Sequence, residues 1–361
     1  MLVFTGRTKA CSVNRRVTSK DVALAVGVSR TAVSLVLNNR ADGEIDPVKQ
    51  ELIRQTAAEL GYVPNAAAVN LQRQSTATIG LITDEIASAP FAGQLIDGAT
   101  TAAMQAGFMI LTIDTAFHDD YIAGAVETLR ARDVDGIIFA AASVRELELP
   151  PSAYALPLVL ANAIDSGGRA QCFVPDDRGG ERAAARLALE AGHTRICFIT
   201  GDDDARATTE RRLGFKAELA AAGLPEAAMS IRAGAYSMRS HHEVALDLLA
   251  GPDRPTAILC ANDRGASGVV LAAAQLGLSV PEDLSVIGFD DEQFFASDFT
   301  PGLTTIGLPH REMGDAAARS LLETIGASAN QQSPAVITIP CNVVERRSLA
   351  GPPAHLRLAR K

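Results

Sequence analysis

Residues 17–38 read VTSKDVALAVGVSRTAVSLVLN. Val22, Ala23 and Val26 recur at helical spacing. After Gly27 a second apolar stripe follows at Val33, Val36 and Leu37. Thr18, with Asp21 three residues on, predicts the N-terminus of the first helix, and Ser29 that of the second. Gly27 suits the positive φ of a tight turn between them. Ala23, Gly27 and Val33 thus place a small residue, a turn glycine and a β-branched residue where two short helices cross closely. That is the helix-turn-helix spacing, although these three positions alone also suit any helical hairpin with a glycine turn. Asp46-Pro47 predicts a third helix, with Pro at its first position, running to about Leu60 and stopping at Gly61.

From residue 78 the pattern changes. Short apolar runs (TIGLIT 78–83, FMILTID 108–114, DGIIFAA 135–141, LPLVLAN 156–162, QCFV 171–174, RICFITG 195–201, TAILCAN 256–262 and LSVIGFD 284–290) predict strands. Ala-rich amphipathic segments over 91–106, 119–131, 178–191, 210–222, 239–250, 263–276 and 312–325 predict helices between them. Near-continuous apolar strands alternating with helices imply parallel sheets covered on both faces. In such sheets ligands sit beyond the carboxyl ends of the strands. Several of these ends are polar: Asp84, Asp114, Asn162, Asn262-Asp263 and Asp290-Asp291. Asp263 reads as a helix cap.

Composition narrows the function classes. The chain has 361 residues, 47% hydrophobic, ample for large cores and too apolar for wholesale disorder. No run reaches the roughly 18–20 apolar residues of a membrane span, and the N-terminus does not read as a secretory signal. Five scattered cysteines without a CxxC pair argue against a disulfide framework or a zinc site and fit a reducing compartment. Residues 1–80 carry 10 Lys/Arg against 6 Asp/Glu, and the remainder 23 against 36, so a basic head precedes an acidic body. A polyanion would meet the head. No GxSxG, HExxH, P-loop or GxGxxG pattern occurs, so neither an enzyme nor a cofactor is expected.

Taken together, the DVA…GVS…VS.VLN run, the ELGYVPN segment and the VPEDLSVIGFDD stretch make the chain resemble LacI/GalR-type bacterial transcription regulators from Val17 to about Arg347. The resemblance implies an all-α helix-turn-helix headpiece followed by an α/β two-lobed body like that of periplasmic binding proteins, with two parallel, Rossmann-like sheets. It divides the chain into an N-terminal arm (1–16), the headpiece (17–64), a hinge helix or linker (65–76), the body (77–347) and a C-terminal tail (348–361). Crossings near 174–178 and 289–303, and a third near the end, would give lobe one residues 77–174 and 291–303 and lobe two residues 178–289 and 310–347.

The resemblance also assigns roles. Arg30, Thr31, Leu35 and Ser19 would contact bases, and Thr18, Ser29, Ser34 and Asn38 phosphates. Ala68 and Leu71 of the hinge would enter the minor groove. These roles suit the residue types: hydroxyls and helix N-termini hold phosphate, and an arginine fork can read guanine. Leu35 stands where the family usually has Arg, so only apolar contact, for example to a thymine methyl, is open to it. Asp84, Phe91, Asn162, Arg206, Thr209, Asn262 and Asp290 would bind the effector, with helix capping the alternative for Asn262 and Asp290. Thr209 stands where the family often has Arg, Arg206 is the nearest upstream substitute, and Arg211 is expected to face away. Leu308 replaces a common Gln, and Phe91, Phe294 and Phe295 would suit a less polar ligand.

The implied partners are pseudo-palindromic double-stranded operator DNA, a small-molecule effector of the sugar class, and a second copy in a homodimer or a tetramer, in the cytoplasm at the nucleoid and with no membrane. The alternatives are a regulator answering to a non-sugar metabolite or acting without effector, and last a solute-binding protein, against which residues 17–73 count.

Overall fold

The computed structural model describes residues 17–38, 40–41, 43–63, 75–85, 92–225, 229–326 and 334–353. The chain forms two compact units, one ending at Thr76 and the other beginning at Ala77.

The first unit is built on three helices, α1 (Ser19–Val26), α2 (Arg30–Leu37) and α3 (Pro47–Glu59). Each start is fixed locally. Asp21 accepts from the Thr18 N–H (2.8 Å) and from its hydroxyl (2.6 Å). Ser29 Oγ accepts from Ala32 N at 3.1 Å, and Asp46 from Val48 N at 2.8 Å. Gly27 closes α1 with φ 74°, a left-handed value that glycine adopts without penalty. Val22, Val33, Val36 and Ile53 are fully buried and hold the three helices together.

The body holds two six-stranded sheets. Sheet one contains β1 (Thr78–Thr83), β2 (Met109–Asp114), β3 (Gly136–Leu147), β4 (Leu158–Asp165), β5 (Gln171–Pro175) and β11 (Val336–Ile339), in the order β11-β5-β4-β3-β1-β2. Sheet two contains β6 (Ile196–Ile199), β7 (Met229–Arg232), β8 (Ala257–Cys260), β9 (Ser285–Asp290), β10 (Thr304–Gly307) and β12 (Asn342–Val344), in the order β12-β10-β9-β8-β6-β7. All pairings are parallel except β12 with β10. Side chains alternate between two cores, as a doubly covered sheet requires. In β3, Ile137 and Phe139 pack toward α5 (Asp120–Arg130), whereas Ile138 and Ala140 pack toward α4 (Ala92–Gln105) and α10 (His310–Gly326). Sheet two lies between α6 (Asp177–Glu190) with α7 (Arg206–Ala221) on one face and α8 (Met238–Ala250) with α9 (Asp263–Gln275) on the other.

The lobe boundaries differ from the sequence expectation. Residues 291–303 belong to lobe two, where Ala296 and Leu303 are fully buried in its core. The second passage lies at 307–310, between β10 and α10. Residues 310–326 and 336–339 then belong to lobe one, because α10 packs on α4 and β11 pairs with β5. A third passage at 339–342 returns to sheet two. The apolar pattern of a helix or strand does not say which of two similar sheets it covers. The start of the expected tail is also part of the body. Ser348 Oγ donates to Val286 O (2.6 Å) and accepts from Thr304 N (2.8 Å), and buried His193 reaches Ala350 O (2.7 Å).

α4 and α10 meet through glycines. A Cβ on Gly98 would overlap the Arg311 carbonyl, and one on Gly314 the Leu95 carbonyl. On a free helix surface Gly98→Ala would stabilise by up to about 1 kcal/mol. Here it is expected to destabilise by about 2 kcal/mol, read as a lower urea midpoint with an unchanged m-value. A higher midpoint would contradict the close approach.

Candidate functional site

In the headpiece the first turn of α2 presents Arg30 and Thr31 exposed. Apart from the Ala32 N–H, which Ser29 caps, its N–H groups have no acceptor within the helix, and together with the helix dipole they favour a neighbouring anion. Leu35 is half-buried on the headpiece core, so only part of its side chain is available outward. Asn38 Nδ2 donates to Ser34 O (2.8 Å) and Oγ (3.2 Å), linking two expected phosphate contacts. The Thr18 hydroxyl donates to Asp21, so it fixes the start of α1 and offers no proton outward. Ser19 is half-buried at the first position of α1. Ala68 and Leu71 lie outside the described residues.

In the body the two sheets' carboxyl ends face a cavity of about 750 Å³. Lobe one contributes Glu85, Phe117, Arg145, Glu146 and Asn162. Lobe two contributes Asp177, Arg206, Arg211, Tyr236, Asn262, Arg264 and Asp290, and Leu308 and His310 come from the second passage. Arg211 organises the floor. Its Nε donates to Asp177 at 2.8 Å, its Nη1 donates to Ala261 O, its Nη2 stands 3.8 Å from Asp290, and its guanidinium lies 3.5 Å over the Phe289 ring. Burial opposes the guanidinium's charge, but Asp177, Tyr236 and Asp290 outweigh it and hold Arg211 firmly protonated. Burial pushes Asp290 well above the usual carboxylate range against the pull of Arg211. Burial, aided by the Arg211 charge, brings His310 down to about 4, so its ring is neutral at pH 7. Asn162 (φ 55°) and Asp290 (φ 109°) hold left-handed backbone, a strain that concentrates at functional sites.

Three comparisons with known proteins bear on this arrangement. Residues 18–65 match the family described as bacterial regulatory proteins, lacI family, and residues 185–349 a periplasmic binding protein-like domain. The repressor PurR of Vibrio parahaemolyticus is 32% identical over 310 residues, covering 85% of this chain and 92% of that protein. The regulator DegA of Bacillus subtilis is 33% identical over 344 residues, covering 92% and 98%. The chain belongs to the LacI family. A crystal structure of the lac repressor dimer bound to operator and an anti-inducer superposes with TM-score 0.75 at 25% identity, covering 93% of this chain and all of that one. This LacI-family chain is therefore a DNA-binding transcriptional regulator with a ligand-binding body.

Several expected site residues of this LacI-family body move. Arg211 faces inward, not away: Thr208, Arg211 and Phe215 are buried at helical spacing on α7, while Thr209 is exposed and does not line the cavity. Arg206 does line it, 3.9 Å from Glu146 of the opposite lobe. Asp84 is fully buried behind the wall. It accepts from Ala142 N (2.8 Å) and Arg145 Nε (3.1 Å), so it positions Arg145 and does not line the cavity. Asn262, not Asp263, caps α9: its Oδ1 accepts from Gly265 N at 2.7 Å while its side chain still lines the cavity. Asp263 is fully buried and accepts from Thr305 (2.6 Å) and Glu292 N (2.7 Å). Phe294 (79% exposed) and Phe295 (packed on lobe two) are not cavity residues. Phe91 lies outside the described residues.

Sequence reasoning passed over Asp177, Arg145, Tyr236, Arg264 and His310. A helical register counted back from Phe215 would have turned Arg211 inward. Nothing in VREL, where β3 runs on past its apolar stretch, marks Arg145.

Proposed function

We propose that this regulator is a cytoplasmic, homodimeric repressor that reads a pseudo-palindromic operator and is controlled by a small molecule in the interlobe cavity. The observation that carries the reading is the cavity itself. Polar side chains of both lobes converge on it, and the chain passes between the lobes three times, so a ligand there binds one lobe arrangement more tightly than another. In the DNA role, Arg30 and Thr31 read bases, with Ser19 and the outward part of Leu35 beside them. Ser29, Ser34 and Asn38 face phosphates, with Thr18 setting the end of α1. Ala68 and Leu71 keep the minor-groove role on the family resemblance alone. In the body, Asn162, Arg206, Asn262 and Asp290 touch the effector directly, joined by Arg211. Asp84 acts through Arg145.

One observation favours a dimer. The similar lac repressor is a dimer on its operator. A duplex selected from random sequence should carry two related half-sites. Arg30→Ala should cost about 1–3 kcal/mol of operator affinity and relax preference at one base pair per half-site, read by equilibrium competition. An unchanged base preference removes Arg30 from the reading role.

A further inference from the structure

We propose that residues 1–16 bind the phosphate backbone of the operator and supply a large share of this regulator's salt-dependent affinity. This rests on the reading of the headpiece as the operator-binding unit and adds to it a second contact that does not read sequence.

Affinity for a duplex needs cations, because each phosphate neutralised by Lys or Arg releases a condensed counterion. The folded headpiece is poor in them. Residues 17–64 hold five Lys/Arg against six Asp/Glu, a net charge of −1. The helices α1 and α2 carry only Lys20 and Arg30, and Asp21 follows Lys20 directly. Lys49 and Arg54 lie on α3, where the Arg54 guanidinium donates to Gln50 (3.3 Å). Of these cations, Arg30 has a base-reading role. The body adds no attraction, since residues 81–361 carry 23 Lys/Arg against 36 Asp/Glu.

The basic excess stands before the headpiece. Residues 1–16 hold Arg7, Lys9, Arg15 and Arg16 and no Asp or Glu, so apart from Arg73 the excess positive charge of residues 1–80 falls on this stretch. Residues 1–16 lie outside the described residues, but the place where they join the fold is described. Val17 and Thr18 lead directly into α1, whose start is fixed by Thr18 donating to Asp21 (2.8 and 2.6 Å). In a helix-turn-helix the first helix crosses the DNA backbone while the second enters the groove. Arg15 and Arg16 therefore precede the very helix end that meets phosphates. Sixteen residues can reach up to about 50 Å, enough to bring Arg7 and Lys9 to phosphates as well, as the N-terminal arms of other helical DNA-binding modules do. The acidic body is the competing polyanion. Its charge is spread over a whole two-lobed unit, whereas a duplex concentrates one charge in about every 1.7 Å of axis, next to the attachment point.

The test compares the full-length protein with a variant carrying Arg7→Gln, Lys9→Gln, Arg15→Gln and Arg16→Gln. Affinity for an operator duplex selected from random sequence, and for random duplex, is measured by fluorescence anisotropy between about 50 and 200 mM salt. The slope of log affinity against log salt concentration is expected to fall in magnitude by about 3 or more, the loss of about four phosphate contacts per dimer. Affinity for both duplexes should fall at least about tenfold at the lower salt, with the base preference kept. A second variant, R7K/R15K/R16K, should retain the parent's slope and affinity, and the helical signal of both variants checks the fold. A smaller change in slope overturns the proposal. So does tighter binding by the neutralised variant, which would place residues 1–16 on the acidic body, and so does a slope lost equally in the lysine variant. A parent protein that prefers no duplex would sink the operator reading instead, and the slope on random duplex would still decide the role of residues 1–16.

Discussion

Arg211→Ala is expected to destabilise the body by about 3–5 kcal/mol and to lower its melting temperature by roughly 10 °C. The guanidinium is 3% exposed and is bonded to Asp177, near Asp290 and stacked on Phe289. Removing it strands the Asp177 carboxylate in a dehydrated floor, takes from Asp290 the one charge that opposes its raised proton affinity, and leaves a hole beside the ring. The two costs separate by pH. A stranded carboxylate can be relieved by protonation, so the deficit should shrink from pH 8 to pH 5, whereas a pure packing loss would not change. The headpiece has its own core of Val22, Val33, Val36 and Ile53, so its helical signal and weak nonspecific DNA binding should persist. A variant as stable as the parent at pH 8 would mean that Arg211 does not compensate the floor.

Legibility in the sequence followed the physics of each feature. The headpiece was readable because caps and turn glycines act locally: Thr18 with Asp21, Ser29, Gly27 and Asp46-Pro47 each stand where the backbone needs them. The strands were readable where both faces are buried, and less so at edges. β7, MSIR, is short and mixed, and β12 is largely exposed. Which sheet each late segment joins was not readable, because α10 would suit either lobe until its glycine contact with α4 is seen. Site polarity at the strand ends was legible for Asn162, Asn262 and Asp290, which line the cavity as their positions suggest. The pairings were not. Arg211 with Asp177 joins two helices, and Arg145 with Asp84 links two strands 61 residues apart in sequence. Such choices depend on three-dimensional register, which spacing along the chain does not encode.

Glu181 is a buried carboxyl of lobe two with an unpartnered oxygen, and Glu181→Gln is expected to stabilise the body at alkaline pH. It lies one turn beyond Asp177 on α6, 1% exposed, and its Oε1 has no hydrogen-bond partner. Burial pushes its carboxyl from the ordinary 4.5 up to about 8, with Arg211 pulling down and Asp177 adding to the rise. The folded form therefore keeps a proton that the unfolded chain gives up above about pH 4.5. Stability falls as pH rises between those values, by at most about 1.4 kcal/mol per pH unit. Asp263, pushed up to about 7 by burial, contributes with the same sign. His310 has the opposite sign. Its ring is held down to about 4, so its contribution is lost as pH falls from the ordinary 6.5 through that value. These groups together place maximum stability on the acid side of neutrality. Glutamine keeps the shape of the protonated acid and does not titrate, so the variant should match the parent near pH 5 and exceed it by about 3 kcal/mol or more at pH 8. Urea unfolding at pH 5, 6.5 and 8 reads this directly as a flatter pH slope and an optimum moved upward. Parallel curves for the two proteins would show that Glu181 is ionised in the folded body and that its charge is compensated elsewhere.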